Sequence, residues 1–218
     1  MRAVIIATLL LPLLLLAGCA TQQGYDYTAF RQSKPKSILV LPPQNHATDI
    51  KGSYGLYSQV TRPLAESGYY VFPVAVVDET FRQNGLEQPA EIHAVPIEKL
   101  RKIFGADAAL YIDIQDYGTT YLLLSSDTRV TASARLVDLR DGKLLWEGKA
   151  TASSQEQDSG SSAGLVGMLV EAAINQIANT ISDKSYDIAG MTSSRLLSAG
   201  TANGILYGPR SPNYAKQK

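Results

Sequence analysis

The sequence predicts a mixed α/β fold: a sheet of about five strands, parallel at first and ending in an antiparallel hairpin, with helices packed on it. Three observations predict it. Two apolar runs, "SILVLPP" at 37–43 and "YYVFPV" at 69–74, are separated by a segment with helical spacing. "AALYIDIQDY" at 108–117 alternates with period two, as a half-buried strand does. Asp141-Gly142 lies between two later strand-like runs and predicts a tight antiparallel turn.

The elements follow in order. Residues 54–68 place Leu56, Val60 and Leu64 on one helical face, with a kink or restart expected at Pro63 and an end at Gly68. Asp78 is expected to cap a short helix through 79–84, ended by Gly85. Pro96 suits the first turn of a helix that sets Ile97, Leu100, Ile103 and Phe104 on one face and stops at Gly105. Strands are expected at 108–117, at 119–138 with a break near 125–127, and at 143–152, where Trp146 packs on a sheet face. A polar loop at 153–164 leads into a long helix through 190, striped by Val166, Val170, Ile174, Ile177 and Ile181. The order β-α-β-α-α-β-β-β-α implies right-handed crossovers and early parallel pairing. The α/β domain is thus expected over 37–190, followed by a loosely ordered extension at 191–218.

The first 18 residues read as a signal peptide. Arg2 precedes "VIIATLLLPLLLLA", whose 14 residues are too short for a bilayer span of roughly 20. "LAGC", Leu16-Ala17-Gly18-Cys19, looks like the bacterial lipoprotein lipobox at all four positions. Small residues at 17 and 18 leave the backbone open to a peptidase cutting between Gly18 and Cys19, and the Cys19 thiolate is a nucleophile that can be alkylated. The resemblance implies a diacylglyceryl thioether and an acylated (palmitate-bearing) amine on Cys19. Two or three chains make a durable anchor where one gives marginal binding. The same resemblance implies, from Ala20 rather than aspartate, sorting to the outer membrane, with the body expected to face the periplasm. Residues 19–36 read as a lipidated tether of roughly 55 Å at full extension, at about 3.3 Å per residue.

Composition narrows the function. Removing Arg2 with the signal peptide leaves one more acidic than basic residue, so the chain carries no electrostatic footprint for nucleic acid. The single cysteine leaves no disulfide within the chain, and no cofactor is expected beyond the lipid. His46 and His93 lack metal-ligand partners at helical spacing, no metal site is expected, and neither a G-x-S-x-G elbow nor a phosphate loop occurs. Asp107, Asp113 and Asp116 cluster around one strand, but residues three apart on a strand point to opposite faces, so no catalytic residue is assigned. "GLVGMLV" is apolar nearly all round. Leu165, Val166, Met168, Leu169 and Val170 therefore read as a core-covering helix, a partner or oligomer interface, or a bilayer contact.

Several stretches together resemble one family: "KPKSILVLPP" (34–43), "PLAESGYYVFPVAVVDETFRQNG" (63–85), "PAEIHAVPIEKLRKIFGADAALYI" (89–112), "ARLVDLRDGKLLWEGKATASS" (134–154) and "YGPR" (207–210). This is a family of bacterial outer-membrane lipoproteins of unknown function, of the meningococcal lipoprotein antigen type. Its members look like the N-terminal domain of the Tol-system B protein and the periplasmic domain of the curli export lipoprotein. The resemblance implies a non-enzymatic accessory of envelope transport, secretion or assembly, with other envelope lipoproteins as partners and a homodimer as one form. It supplies no catalytic residues. An envelope hydrolase using Asp107 or Asp113, and a solute-binding lipoprotein, are the alternatives.

Overall fold

A computed structural model describes residues 24–121, 126–158 and 184–217. The strands are β1 (Ser37–Val40), β2 (Gln44–Asn45), β3 (Tyr70–Val71), β4 (Ala108–Tyr121), β5 (Ser126–Asp138) and β6 (Leu144–Ser153). They form one six-stranded mixed sheet in the order β3-β1-β4-β5-β6, with β2 continuing the line of β1 along β4. β1 pairs in parallel with β3 and with β4, and β4, β5 and β6 are antiparallel. This is the expected mixed α/β architecture, with the two-residue β2 as an unforeseen sixth strand.

β1 is buried on both sides, as a central parallel strand must be. Ile38 and Val40 enter one core with Leu110, Ile112 and Ile114. Leu39 and Leu41 enter the other with Ala109 and Tyr111. The first core is covered by α1 (Thr28–Ser33), α2 (Gly52–Tyr57), α3 (Thr61–Glu66) and α8 (Lys184–Leu197). The second is covered by α4 (Val74–Gln83), α5 (Pro89–His93) and α6 (Ile97–Phe104). The short α7 (Gln155–Asp158) follows β6. Trp146 is buried in the first core, and its indole nitrogen donates to the Asn203 carbonyl at 2.9 Å.

Several local expectations are corrected. The helix expected at 54–68 breaks at 58–60 and restarts at Thr61. Pro63 then sits in a first turn, where its missing N–H removes no intrahelical bond. The run at 69–74 is a strand only at Tyr70–Val71, because Pro73 turns the chain directly into α4. Asp78 is therefore no cap; it lies mid-helix, nearly buried, and accepts from Arg82 one turn on at 2.9 Å. Pro96 and a left-handed Gly105 bound α6 as expected, but Ile103 is 55% exposed rather than on the buried face of Leu100. β4 continues past 117 to Tyr121, and β5 begins at Ser126, beside the break expected near 125–127.

The ends of the domain differ most. The extension at 191–218 is not loose. α8 runs through 197 and packs on β5 and β6, burying Thr192, Ser193, Leu196 and Leu197. Its hydroxyls read as polar in sequence but are spent on backbone carbonyls. Thr192 donates to Val130 at 3.1 Å, and Ser193 to Gln59 at 3.0 Å. Ile205 is buried, and the tail folds back on the left-handed Gly68. Gly208 N donates to the Ser67 carbonyl and Arg210 N to that of Gly68, an approach so close that a Cβ on Gly208 would stand 2.5 Å from the Gly68 oxygen.

The tether expected at 19–36 is also shorter than read. α1 buries Phe30 in the first core. Arg140 donates to the carbonyl and hydroxyl of Ser33 at 2.7 and 2.6 Å and, through the same guanidinium, to Asp138, so the end of α1 is locked to the turn between β5 and β6. Burial raises the Asp138 carboxyl, but the hydrogen bonds from Arg140 and Ser33 outweigh it and bring its pKa down to about 2.

Two outcomes follow from this packing. Gly208→Ala should force the tail off Gly68 and cost about 1–3 kcal/mol, measured by urea unfolding. The depressed pKa of Asp138 stabilises the fold at pH values above the unfolded carboxyl value, and this is lost as pH falls through about 2. Asp138→Asn should be less stable at pH 7 by about 2 kcal/mol and should lose less stability than the parent chain between pH 4 and pH 2.

Candidate functional site

The helices α4–α6 cover only part of their side of the sheet. Beyond them, Arg129, Arg135, Glu147 and Lys149 stand exposed on β5 and β6. Where α5 meets this open floor lies a pocket of about 440 Å³, lined by Gln44, His93, Tyr111, Arg135 and Val137 with Ala90 and Ala94. Pro42 and Pro43 end β1 and turn the chain to present Gln44, while the five-residue α5 brings in His93.

His93 is held from both ring nitrogens. Nε2 lies 2.9 Å from the Pro42 carbonyl and must donate to it, so Nδ1 accepts from the Gln44 amide at 2.9 Å. The ring packs edge-on against Tyr111 with centroids 5.2 Å apart. Burial lowers the His93 pKa below the ordinary imidazole value, and Arg135 adds to this against the Pro42 carbonyl and Asp113. The imidazole is thus a fixed, neutral wall, with no lone pair left over for a metal or a substrate proton. Arg135 lies over the Tyr111 ring at 5.8 Å, and no carboxylate among the described residues is within ion-pair distance of it. The pocket offers a cation and an aromatic edge, which suits binding better than proton transfer.

The three aspartates do not form a catalytic set. Asp107 ties the starts of β1 and β4 together, its Oδ2 accepting from Lys36 N at 2.8 Å, Ser37 N at 3.1 Å and Ser37 Oγ at 3.2 Å. Asp113 faces His46 at 3.5 Å. Asp113 and Asp116 were expected on opposite faces, but a bulge at Gln115 shifts the register, and Tyr117 rather than Asp116 returns to the first core. Both aspartates therefore share the open side. Gln115 donates to Ser133 at 2.8 Å, while its buried Oε1 has no partner among the described residues. It lines a wider hollow of about 890 Å³ together with His46, Asp49, Asp116 and Arg129. Among the described residues, no three His, Cys, Asp or Glu side chains are grouped to hold a metal.

The sequence-predicted lipidation and cleavage residues, Gly18 and Cys19, lie outside the described residues, as do Leu165, Val166, Met168, Leu169 and Val170. The first described residues after Cys19 are docked. Tyr25 N donates to Asn203 Oδ1 at 3.1 Å, its hydroxyl accepts from Glu147 N at 3.1 Å, and the Tyr27 hydroxyl donates to the Gly204 carbonyl. Sequence reasoning missed Gln44, Tyr111 and Arg135 as one site. Only the two prolines after β1 signalled that the chain turns there, and the partner residues come from 49 and more positions away.

His93 should titrate below 6.5 and remain an Nε2–H tautomer at neutral pH, which nitrogen-15 NMR of the imidazole would show. A lowered histidine pKa contributes stability above the unfolded value that is lost as pH falls through the folded one. His93→Ala, which strands the Pro42 carbonyl and the Gln44 amide, should cost about 1–3 kcal/mol in urea unfolding at pH 7.5.

Comparison with known proteins places this fold. The family described as "Putative lipoprotein GNA1162-like" matches residues 25–210. "Putative lipoprotein NMB1124/NMB1162" of Neisseria meningitidis serogroup B is 52% identical over 199 residues, covering 90% of this chain and 92% of the relative. The crystal structure of lipoprotein GNA1162 from Neisseria meningitidis matches with 54% identity and a TM-score of 0.53, covering 66% of this chain and 99% of that one. A PelC dodecamer chain from Paraburkholderia phytofirmans is 12% identical with a TM-score of 0.45, over 74% of this chain and 86% of that one, and carries nothing about function. The chain belongs to the GNA1162-like family of lipoproteins.

Proposed function

We propose that this lipoprotein is anchored in the outer membrane through acylated Cys19, faces the periplasm, and acts as a non-enzymatic accessory of envelope transport, secretion or assembly. The reading is carried by how the groups capable of chemistry are used. Asp107 is bound by two backbone amides and a hydroxyl, and His93 by a carbonyl and an amide. What stays open is a polar sheet floor with Arg135 and Lys149 on it, a surface suited to another protein. Envelope lipoproteins or transport components are the proposed partners, with a homodimer as one form. The apolar run at Leu165–Val170 is a second proposed contact.

In-cell crosslinking from positions 135 and 165 should capture envelope proteins. A chain that stays monomeric after detergent extraction and yields no adduct from either position would count against the reading. The hydrolase alternative predicts activity on a cell-wall digest that disappears in Asp107→Asn. Solute binding is favoured by the 440 Å³ pocket, and it predicts a ligand-dependent rise in thermal stability.

Cys19→Ala should abolish palmitate labelling and leave the signal peptide uncut, which N-terminal sequencing would show. The folded body should unfold within about 0.5 kcal/mol of the parent chain, since position 19 precedes every docked residue among those described.

A further inference from the structure

The docking of Tyr25 fixes how far the body can stand from its anchor. Only six residue steps separate Cys19 from Tyr25. Whatever their conformation, they span at most about 20 Å at roughly 3.3–3.6 Å per residue. A body of this chain length is about 40 Å across. The tether is therefore about half the width of the domain it holds, and only the side where Tyr25 leaves the fold can lie against the bilayer.

That side is well defined. Tyr25 is seated on the β6 edge through Glu147 N and on the C-terminal loop through Asn203. It cannot easily peel away. Its ring packs on Tyr27 at 4.9 Å, Tyr27 packs on the buried Phe30 at 6.5 Å, and Arg140 holds the end of α1. Several groups of the β6 edge are also taken up. Glu147 N is met by the Tyr25 hydroxyl, the Thr151 carbonyl by Arg195 at 2.7 Å, and Ser153 N by Glu156 at 3.1 Å. At the other extreme, α4 lies over β1, on the opposite face of the sheet and toward the opposite edge, with Val76 61% exposed.

We propose that the β6 edge, with Tyr25 and the loop around Asn203, is the membrane-facing side of the domain, apposed to the phospholipid surface that holds its own anchor, and that the α4 layer is turned away from the bilayer. The inference rests on acylation of Cys19.

The test uses the full lipidated chain, purified from membranes and reconstituted in vesicles of phosphatidylethanolamine and phosphatidylglycerol that carry an energy-transfer acceptor on the headgroup. Two variants each receive one donor dye: Ala202→Cys, exposed beside Asn203, and Val76→Cys on α4. Transfer to the lipid should be severalfold higher from position 202 than from position 76. A 12-residue Gly/Ser insertion after Gly24 should erase most of that difference without changing the unfolding midpoint. Mass spectrometry of the N-terminal peptide separates two failures. Acylated Cys19 with equal transfer from both positions, or with more from position 76, overturns the orientation alone. A Cys19 without lipid overturns the orientation and the anchoring together.

Discussion

Every other part of the fold answers to one constraint, the burial of β1 on both faces. Ile38, Leu39, Val40 and Leu41 are all fully buried, two toward each core. Each such side chain contributes about 1.5–3 kcal/mol only if an apolar layer covers it. A single helical layer cannot do this, so the chain crosses from β1 to β3 with α2 and α3 on one side, then from β3 to β4 with α4, α5 and α6 on the other. Asp107 fixes the register of this centre by gathering the first amides of β1 to the start of β4. A carboxylate used in this way supports a fold rather than a reaction.

The two layers are not equally complete. The first core is closed by elements from both chain ends, α1 and α8, and by a tail that lies against Gly68. The second covers β3, β1 and β4 and leaves the outer antiparallel strands bare. The pocket at His93 sits at this margin, where a covered sheet becomes an open one. Its residues come from three different connections, the turn after β1, the α5 segment and the hairpin strands, so its shape depends on the whole centre being in place.

Much of this was legible in the sequence where one physical signal dominated. Period-two alternation found β4, and the Asp-Gly pair found the turn between β5 and β6. Continuous apolar runs bounded by Pro found β1. The misreadings at the two ends of the chain share a cause: the deciding partner lay far away in sequence. Thr192 and Ser193 look like tail residues until Val130 and Gln59 accept their hydrogen bonds. Tyr25 and Tyr27 look like tether until Asn203 and Gly204 receive them, about 178 positions on. The bulge at Gln115 has no local sequence signature, yet it decides which face Asp116 joins. Of the candidate site, the histidine was visible as a residue, but neither its two partners nor the uncovered cation beside it could be read before the strands were paired.

Asn203 holds the left-handed backbone conformation that its residue type tolerates, and from there it serves two masters. Its side chain takes the amide of Tyr25, and its carbonyl takes the indole of Trp146. The C-terminal loop is thus a clasp on the N-terminal leash. With the clasp closed, six residue steps separate Cys19 from the first docked side chain; with it open, that distance would run back toward α1, and an anchored body would reach a much larger volume. Under the proposed anchoring, the reach of this protein is in that sense set by its far end, by one asparagine nearly two hundred residues from Cys19.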